Sequence, residues 1–165
     1  TSVCAVVKDN EVHLVNLGDS RAYVVSNDEI RRVTKDHSLV QQLVDQGTIT
    51  EEETRTHPQK NVISKAIGIN ADIESDTMRL KLASDESLLL CCDGVIAHLT
   101  DEDIHKTIIE SSDPDVACQN IVNLANERGG SDNISLIILS SEDNPDSKEI
   151  EPDSTDDDEK TKIIG

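Results

Sequence analysis

Ser2-Val3-Cys4-Ala5-Val6-Val7-Lys8-Asp9-Asn10-Glu11-Val12-His13-Leu14-Val15-Asn16-Leu17-Gly18-Asp19-Ser20-Arg21-Ala22-Tyr23-Val24-Val25-Ser26-Asn27-Asp28 is the stretch on which the fold turns. Its apolar runs, Val3 to Val7, Val12 to Leu17 and Ala22 to Val25, are rich in Val and separated only by Lys8-Asp9-Asn10 and Gly18-Asp19-Ser20. Two to four residues are too few for a helical crossover between parallel strands, so the pattern predicts an antiparallel meander over residues 2–33.

Downstream, Leu39, Val40, Leu43 and Val44 recur at helical spacing and Gly47 sits where a left-handed cap would end the helix, giving a helix over 38–46. Thr50 and Glu53 have the spacing of a capping box, which opens a second helix over 50–55. Residues 54–61, with His57-Pro58, read as loop. Residues 62–66 and 73–82 read as strands around the turn Gly68-Ile69-Asn70, and Ser87 to Cys92 as a strand buried on both faces. Asp93-Gly94 breaks that run. A helix then opens at Thr100-Asp101-Glu102-Asp103, with Leu99 and Ile104 placed as a hydrophobic staple. Asp113-Pro114 starts the longest helix, its apolar face formed by Ala117, Ile121, Leu124 and Ala125, and Gly129-Gly130 ends it before a last strand from Ile134 to Leu139. Strands, then clustered helices, then strands again define an α+β class.

Of the 165 residues, 34 are Asp or Glu and 15 are Lys or Arg, a formal charge of −19. That balance argues against a nucleic-acid partner, which would need a basic surface to displace counterions. The chain has one aromatic residue, Tyr23, so its core must be aliphatic. Cys4, Cys91, Cys92 and Cys118 form neither a disulfide framework nor a zinc knuckle, which suits a reducing, cytoplasmic setting. No apolar run approaches the roughly 18 residues of a membrane span, so no membrane insertion is expected. Thr1 leads directly into an apolar run with no cap or turn before it, which reads as a fragment. Residues 1–140 are expected to form the folded domain. Residues 141–165, with ten acids, three bases and few apolar side chains, are expected to be a disordered acidic tail or linker. Within it, Ser154, Thr155 and Thr161 lie beside Asp156-Asp157-Asp158, a context suited to an acid-directed kinase.

Three aspartates share a placement: Asp19 and Asp93 follow apolar runs, and Asp132 precedes one. If the strands are neighbours, their carboxylates gather at one sheet edge as hard oxygen ligands for Mg²⁺ or Mn²⁺. The alternative is that each Asp, beside Gly, Ser or Asn, only forms a turn.

The wording of these segments goes further. Gly18-Asp19-Ser20-Arg21, Cys92-Asp93-Gly94 and Ser131-Asp132-Asn133 resemble, in order, the Gly-Asp-Ser-Arg, Ser-Asp-Gly and Asp-Asn motifs of the metal-dependent protein serine/threonine phosphatases, the PPM or type 2C family. Thr34-Lys35-Asp36-His37-Ser38, His57-Pro58, Asn61-Val62-Ile63 and Ala66-Ile67-Gly68 are similar to the family's middle region in its bacterial style. The resemblance spans residues 1–139. It implies a sandwich of two antiparallel sheets flanked by helices, with two Mn²⁺ or Mg²⁺ ions, and a third weaker one, in a cleft at the sheet ends. It further implies hydrolysis of phosphoserine and phosphothreonine on phosphorylated proteins by a metal-bound water. Under it, Asp93 and Asp132 match carboxylates that ligate one ion, and Asp19, with Asp93 shared, matches the third.

The same resemblance implies that the chain holds the C-terminal two thirds of the domain. It begins after the family's Glu-Asp and Gly-Asp-Gly ligand segments and their phosphate-binding Arg, so the isolated polypeptide is expected to be inactive. A non-catalytic module of the same fold, sensing metal or binding a protein, is the rival reading. Cys92 replaces the family's usual Ser, and Val95-Ile96-Ala97 lacks a polar residue often present there. Glu51-Glu52-Glu53 reads as a helix start rather than a substitute ligand set. His98 and His105 read as surface residues, Arg21 as a partner for acidic neighbours, and Cys91 and Cys92 as structural thiols. Helices 38–46 and 50–55, with the loop to Asn61, match the family's flap beside the cleft.

Overall fold

The computed structural model describes residues 1–69 and 72–140. In chain order its elements are β1 (Ser2–Lys8), β2 (Glu11–Leu17), β3 (Arg21–Val25), β4 (Ile30–Arg32), α1 (Leu39–Asp45), α2 (Glu51–Thr54), β5 (Asp76–Lys81), β6 (Ser87–Cys91), α3 (Asp93–Ile96), α4 (Asp101–Glu110), α5 (Pro114–Glu127) and β7 (Leu136–Ser140). Two antiparallel sheets result, ordered β1-β2-β5 and β4-β3-β6-β7. Asn70 of the expected turn and the acidic stretch 141–165, with Ser154, Thr155 and Thr161, lie outside the described residues.

The hairpins β1–β2 and β3–β4 pair as the apolar runs require. They do not continue into one meander, because β2 pairs with β5 and β3 with β6. The side chains explain the break. Strand β2 alternates buried Val12 and Leu14 with exposed His13 and Val15, so it needs cover on one face only. In β3 all of Ala22, Tyr23, Val24 and Val25 are buried, so it must be sandwiched. The chain changes layer between them at Gly18, whose φ of 113° is a conformation that side chains oppose. A Cβ there would also collide with the Thr1 side chain.

Strand β6 is buried on both faces, as its dense apolar run predicts. Leu88 and Leu90 meet Val12, Leu14, Ala22 and Val24 between the sheets. Leu89 and Cys91 face the opposite way and join Tyr23 and Val25 against Val95, Leu99, Ile104, Ile121 and Ala125 of the helical layer. The staple pair Leu99 and Ile104 is fully buried within that cluster. Among the described residues no helix packs on the outer face of β1-β2-β5, where Val6 is 68% and Val15 43% exposed.

The helix boundaries follow their caps. Ser38 accepts from the Gln41 N–H, Thr50 and Glu53 form the expected capping box, Thr100 and Asp103 form another, and Asp113 caps α5 ahead of Pro114. Arg128, beyond α5, binds Asp103 through both guanidinium nitrogens and holds that carboxyl well below its usual range. No helix of the described residues is long and apolar enough to cross a membrane.

Residues 62–66 do not form a strand. Ile63 makes one isolated bridge, to Ser38, and Val62 is 45% exposed. The Leu39 N–H donates to the Val62 carbonyl and the Ser64 N–H to the His37 carbonyl, but the partner chain turns helical at Leu39, so the ladder cannot extend. Of residues 73–82 only Asp76–Lys81 is paired, and the last strand is shifted to Leu136–Ser140, with Ser135 held by its carbonyl to the Cys92 N–H.

Candidate metal centre

Register places the acidic residues. Arg21 stands opposite Cys91, so Asp19, two residues before β3, and Asp93, two residues after Cys91, leave the β3–β6 pair at the same end. Cys91 is also opposite Leu136, which brings the segment before β7 to that end. The Cys92 thiol fixes this segment: it donates to the Asn133 carbonyl at 3.2 Å and accepts from the Ser135 N–H at 3.2 Å. Gly94 lies so close to the Asn133 carbonyl that any Cβ would strike it.

The half-buried Asp19 carboxyl is pushed above its ordinary range, first by burial and next by the negative charge of Asp93, with Asp36 adding a smaller push. A carboxyl raised by the charge of a neighbouring carboxylate marks a place where a cation would relieve the repulsion. Asp93 and Asp132 each accept the next residue's N–H, from Gly94 at 3.0 Å and Asn133 at 2.7 Å, so the turn-forming role is real for both but occupies only Oδ1. Hard oxygen donors, with a negative charge beside the half-buried Asp19, fit a divalent cation. Among the described residues, however, no three Asp, Glu, His or Cys side chains gather as a complete cage.

The other candidates resolve clearly. Arg21 grips Asp36 with Nε at 3.0 and 3.1 Å and Nη2 at 2.7 Å, and reaches the Tyr23 hydroxyl with Nη1 at 3.2 Å. It is a buried structural partner for an acid. Tyr23 in turn donates to Asp101 at 3.1 Å. His98 Nε2 lies 3.1 Å from Ser131 Oγ, and His105 Nε2 lies 3.0 Å from the Ser26 carbonyl, so neither ring is engaged with the acidic pair. Burial pushes the Cys91 thiol up to about 12, which makes it inert at neutral pH. Glu51 pairs with Arg32 at 2.9 Å, Glu53 closes its capping box, and Val95 is core. The α1–α2 region is tied to the site side by Arg55, which donates to the Ile96 and Leu99 carbonyls at 3.3 and 3.0 Å.

Sequence reasoning missed how densely the Thr34–Ser38 segment is used. Thr34 Oγ1 accepts from the Ala22 N–H at 2.9 Å, the Lys35 carbonyl accepts from Asn16 Nδ2 at 3.0 Å, Asp36 holds Arg21, His37 holds Gly18, and Ser38 caps α1. The segment clamps the corner where the chain changes sheet. Five consecutive positions of hydrogen-bonding capacity between a strand and a helix were the available signal.

An α+β sandwich of two antiparallel sheets, with aspartates leaving its central strands at one end, is the class that these features define. A family model described as "Protein phosphatase 2C" matches residues 1–43 and 55–134, and the chain belongs to that family. It is 32% identical over 139 residues to the "Serine/threonine phosphatase stp" of Listeria innocua, covering 84% of this chain and 55% of that protein. It is 39% identical over 132 residues to the "Serine/threonine protein phosphatase PstP" of Mycobacterium tuberculosis, covering 78% of this chain and 25% of that protein. The crystal structure of the serine/threonine phosphatase Stp1 from Staphylococcus aureus superposes with a TM-score of 0.82 at 35% identity, over 85% of this chain and 55% of that one. A PstP catalytic domain solved in complex with two manganese ions gives 0.73 at 27% identity, over 82% and 56%. The chain thus spans about half the length of the Listeria relative it matches.

Proposed function

We propose that the protein carrying this chain is a cytoplasmic, metal-dependent phosphatase that hydrolyses phosphoserine and phosphothreonine on phosphorylated proteins. The observation that carries the reading is the strand register that brings Asp19 and Asp93 to one end of β3 and β6 in a protein phosphatase 2C fold, with the Asp93 charge helping to raise the Asp19 carboxyl. Asp93 and Asp132 would hold one Mn²⁺ or Mg²⁺ ion, and Asp19, sharing Asp93, a further one. Such ions, when bound, supply charge stabilisation for the phosphoryl oxygens and activate water as the nucleophile. The chain's own residues do the positioning: the Cys92 thiol holds the Asp132–Asn133 turn beside Asp93, and Arg21 is committed to Asp36 rather than to phosphate.

The incomplete cage among the described residues favours a corollary: the 165-residue chain alone is inactive, and further ligands belong to the whole protein. The same observation is what a non-catalytic, metal-sensing module would show. Release of phosphate from a phosphothreonine peptide with Mn²⁺ separates the readings. The whole protein should turn over and its Asp93→Ala variant should not, while the 165-residue chain shows no turnover. Turnover unchanged by Asp93→Ala contradicts the phosphatase assignment, and robust turnover by the chain alone contradicts the corollary.

A further inference from the structure

Among the described residues, His37 and Asn16 are the two buried side chains that keep a polar atom without a hydrogen-bond partner, Nε2 in His37 and Oδ1 in Asn16. The residue exposure of His37 is 8%, and its ring sits where the chain passes from one sheet to the other. The Gly18 N–H donates to His37 Nδ1 at 3.0 Å while the His37 N–H donates to the Gly18 carbonyl at 2.8 Å. Both polar groups of one glycine are therefore held by one residue. Gly18 immediately precedes Asp19. Because Nδ1 accepts, the ring proton is on Nε2, which lies 3.1 Å from Asp76 Oδ2 but is not aligned for a hydrogen bond. Asp76 stands opposite Asn16 in the β2–β5 ladder, and Lys65 Nζ is 3.8 Å from its Oδ1. The imidazole thus spans from the corner to the neighbouring strand.

We propose that His37 is a positioning residue for cation binding at Asp19: by clamping both backbone groups of Gly18, it fixes the direction in which the Asp19 carboxylate leaves the corner. The role rests on the metal reading given above. Gly18 needs such a clamp, because a glycine at φ 113° has little intrinsic preference for that conformation and would otherwise sample others. A carboxylate that must face Asp93 against repulsion cannot tolerate this freedom, since partners behind a ligand set its orientation and affinity. Asparagine tests the geometry, because its Oδ1 offers an acceptor at the place of Nδ1. Leucine fills the volume without one.

The experiment is NMR on the 165-residue chain, its His37→Asn and its His37→Leu variants, with thermal melts recorded in parallel. The parent should show scalar coupling across the Gly18 N–H···Nδ1 bond and slow exchange of the Gly18 amide. His37→Leu should lose that protection and His37→Asn retain it. Added Mn²⁺ should broaden the Asp19 amide, and His37→Leu should raise the half-broadening concentration by about tenfold, the low end for losing a partner behind a ligand, with His37→Asn near the parent. A missing coupling, or Gly18 protection unchanged in His37→Leu, overturns the proposal. An unchanged half-broadening concentration in His37→Leu does so too, because a purely structural histidine would destabilise the fold without moving that value. If Mn²⁺ fails to broaden Asp19 in the parent, the 165-residue chain holds no cation at Asp19 and the positioning role is overturned, while turnover by the whole protein still tests the metal reading.

Discussion

Asp19 is the residue whose chemistry is most exposed to test. Folding raises its pKa, so the protonated carboxyl favours the folded state. That contribution is complete below the ordinary carboxyl range near pH 4 and is lost as pH rises through the folded value. At neutral pH, ionised Asp19 therefore opposes folding of the metal-free chain. Asp19→Asn should raise Tm in chelator at pH 7, the gain should shrink toward pH 4, and Mn²⁺ should abolish it by stabilising only the parent. A lower Tm for Asp19→Asn at pH 7 contradicts the repulsion. Arg21 and Asp36 give the complementary case: the pair is largely buried, at 15% and 9% side-chain exposure. Asp36→Ala would leave a guanidinium without its partner, and urea unfolding should show a loss of about 3 kcal/mol.

At the scale of elements, the strand buried on both faces dominates stability. Leu89→Ala removes a fully buried side chain between β3, β7 and the helices and should cost about 2–5 kcal/mol in urea unfolding, whereas Val15→Thr on the open face of β2 should stay within about 0.5. Thr100→Ala removes the hydroxyl that accepts the Asp103 N–H, leaving the Asp103 carboxylate on the backbone N–H of residue 100, and should cost about 1 kcal/mol. These elements were legible because their signals are local. Caps, the Asp113-Pro114 start and the Ser87 to Cys92 run each specify their structure within a few residues. The break in the meander was not legible, since the pairing of β2 with β5 and of β3 with β6 depends on strands some 65 residues away in the chain. The 62–66 segment failed as a strand for a related reason: its apolar residues are sufficient for pairing, but its partner becomes a helix.

Across the whole molecule, the acidic residues were legible as candidates and their company was not. Sequence placed Asp19, Asp93 and Asp132 at strand ends, yet only the register of β3, β6 and β7 puts them at the same end. The Thr34–Ser38 clamp reads as an unremarkable polar linker until Gly18 is seen across from it. Among the described residues one sheet face and the β1 edge are left uncovered, with Val6 and Val15 exposed, while the chain's charge of −19 resists association. Salt screens that repulsion at a Debye length of about 8 Å in physiological ionic strength. Sedimentation velocity should therefore show self-association that grows with added NaCl, and Val6→Lys on the edge strand should suppress it. Association that falls with salt would point to charge pairing instead.

The central claim is that carboxylates far apart in the chain share divalent cations. Titration of Mn²⁺ into the 165-residue chain, followed by loss of the free-ion EPR signal, tests it most directly. The account predicts saturable binding that Asp93→Ala abolishes and that Asp19→Ala and Asp132→Ala each weaken. Binding of equal strength in the parent and all three variants would contradict it.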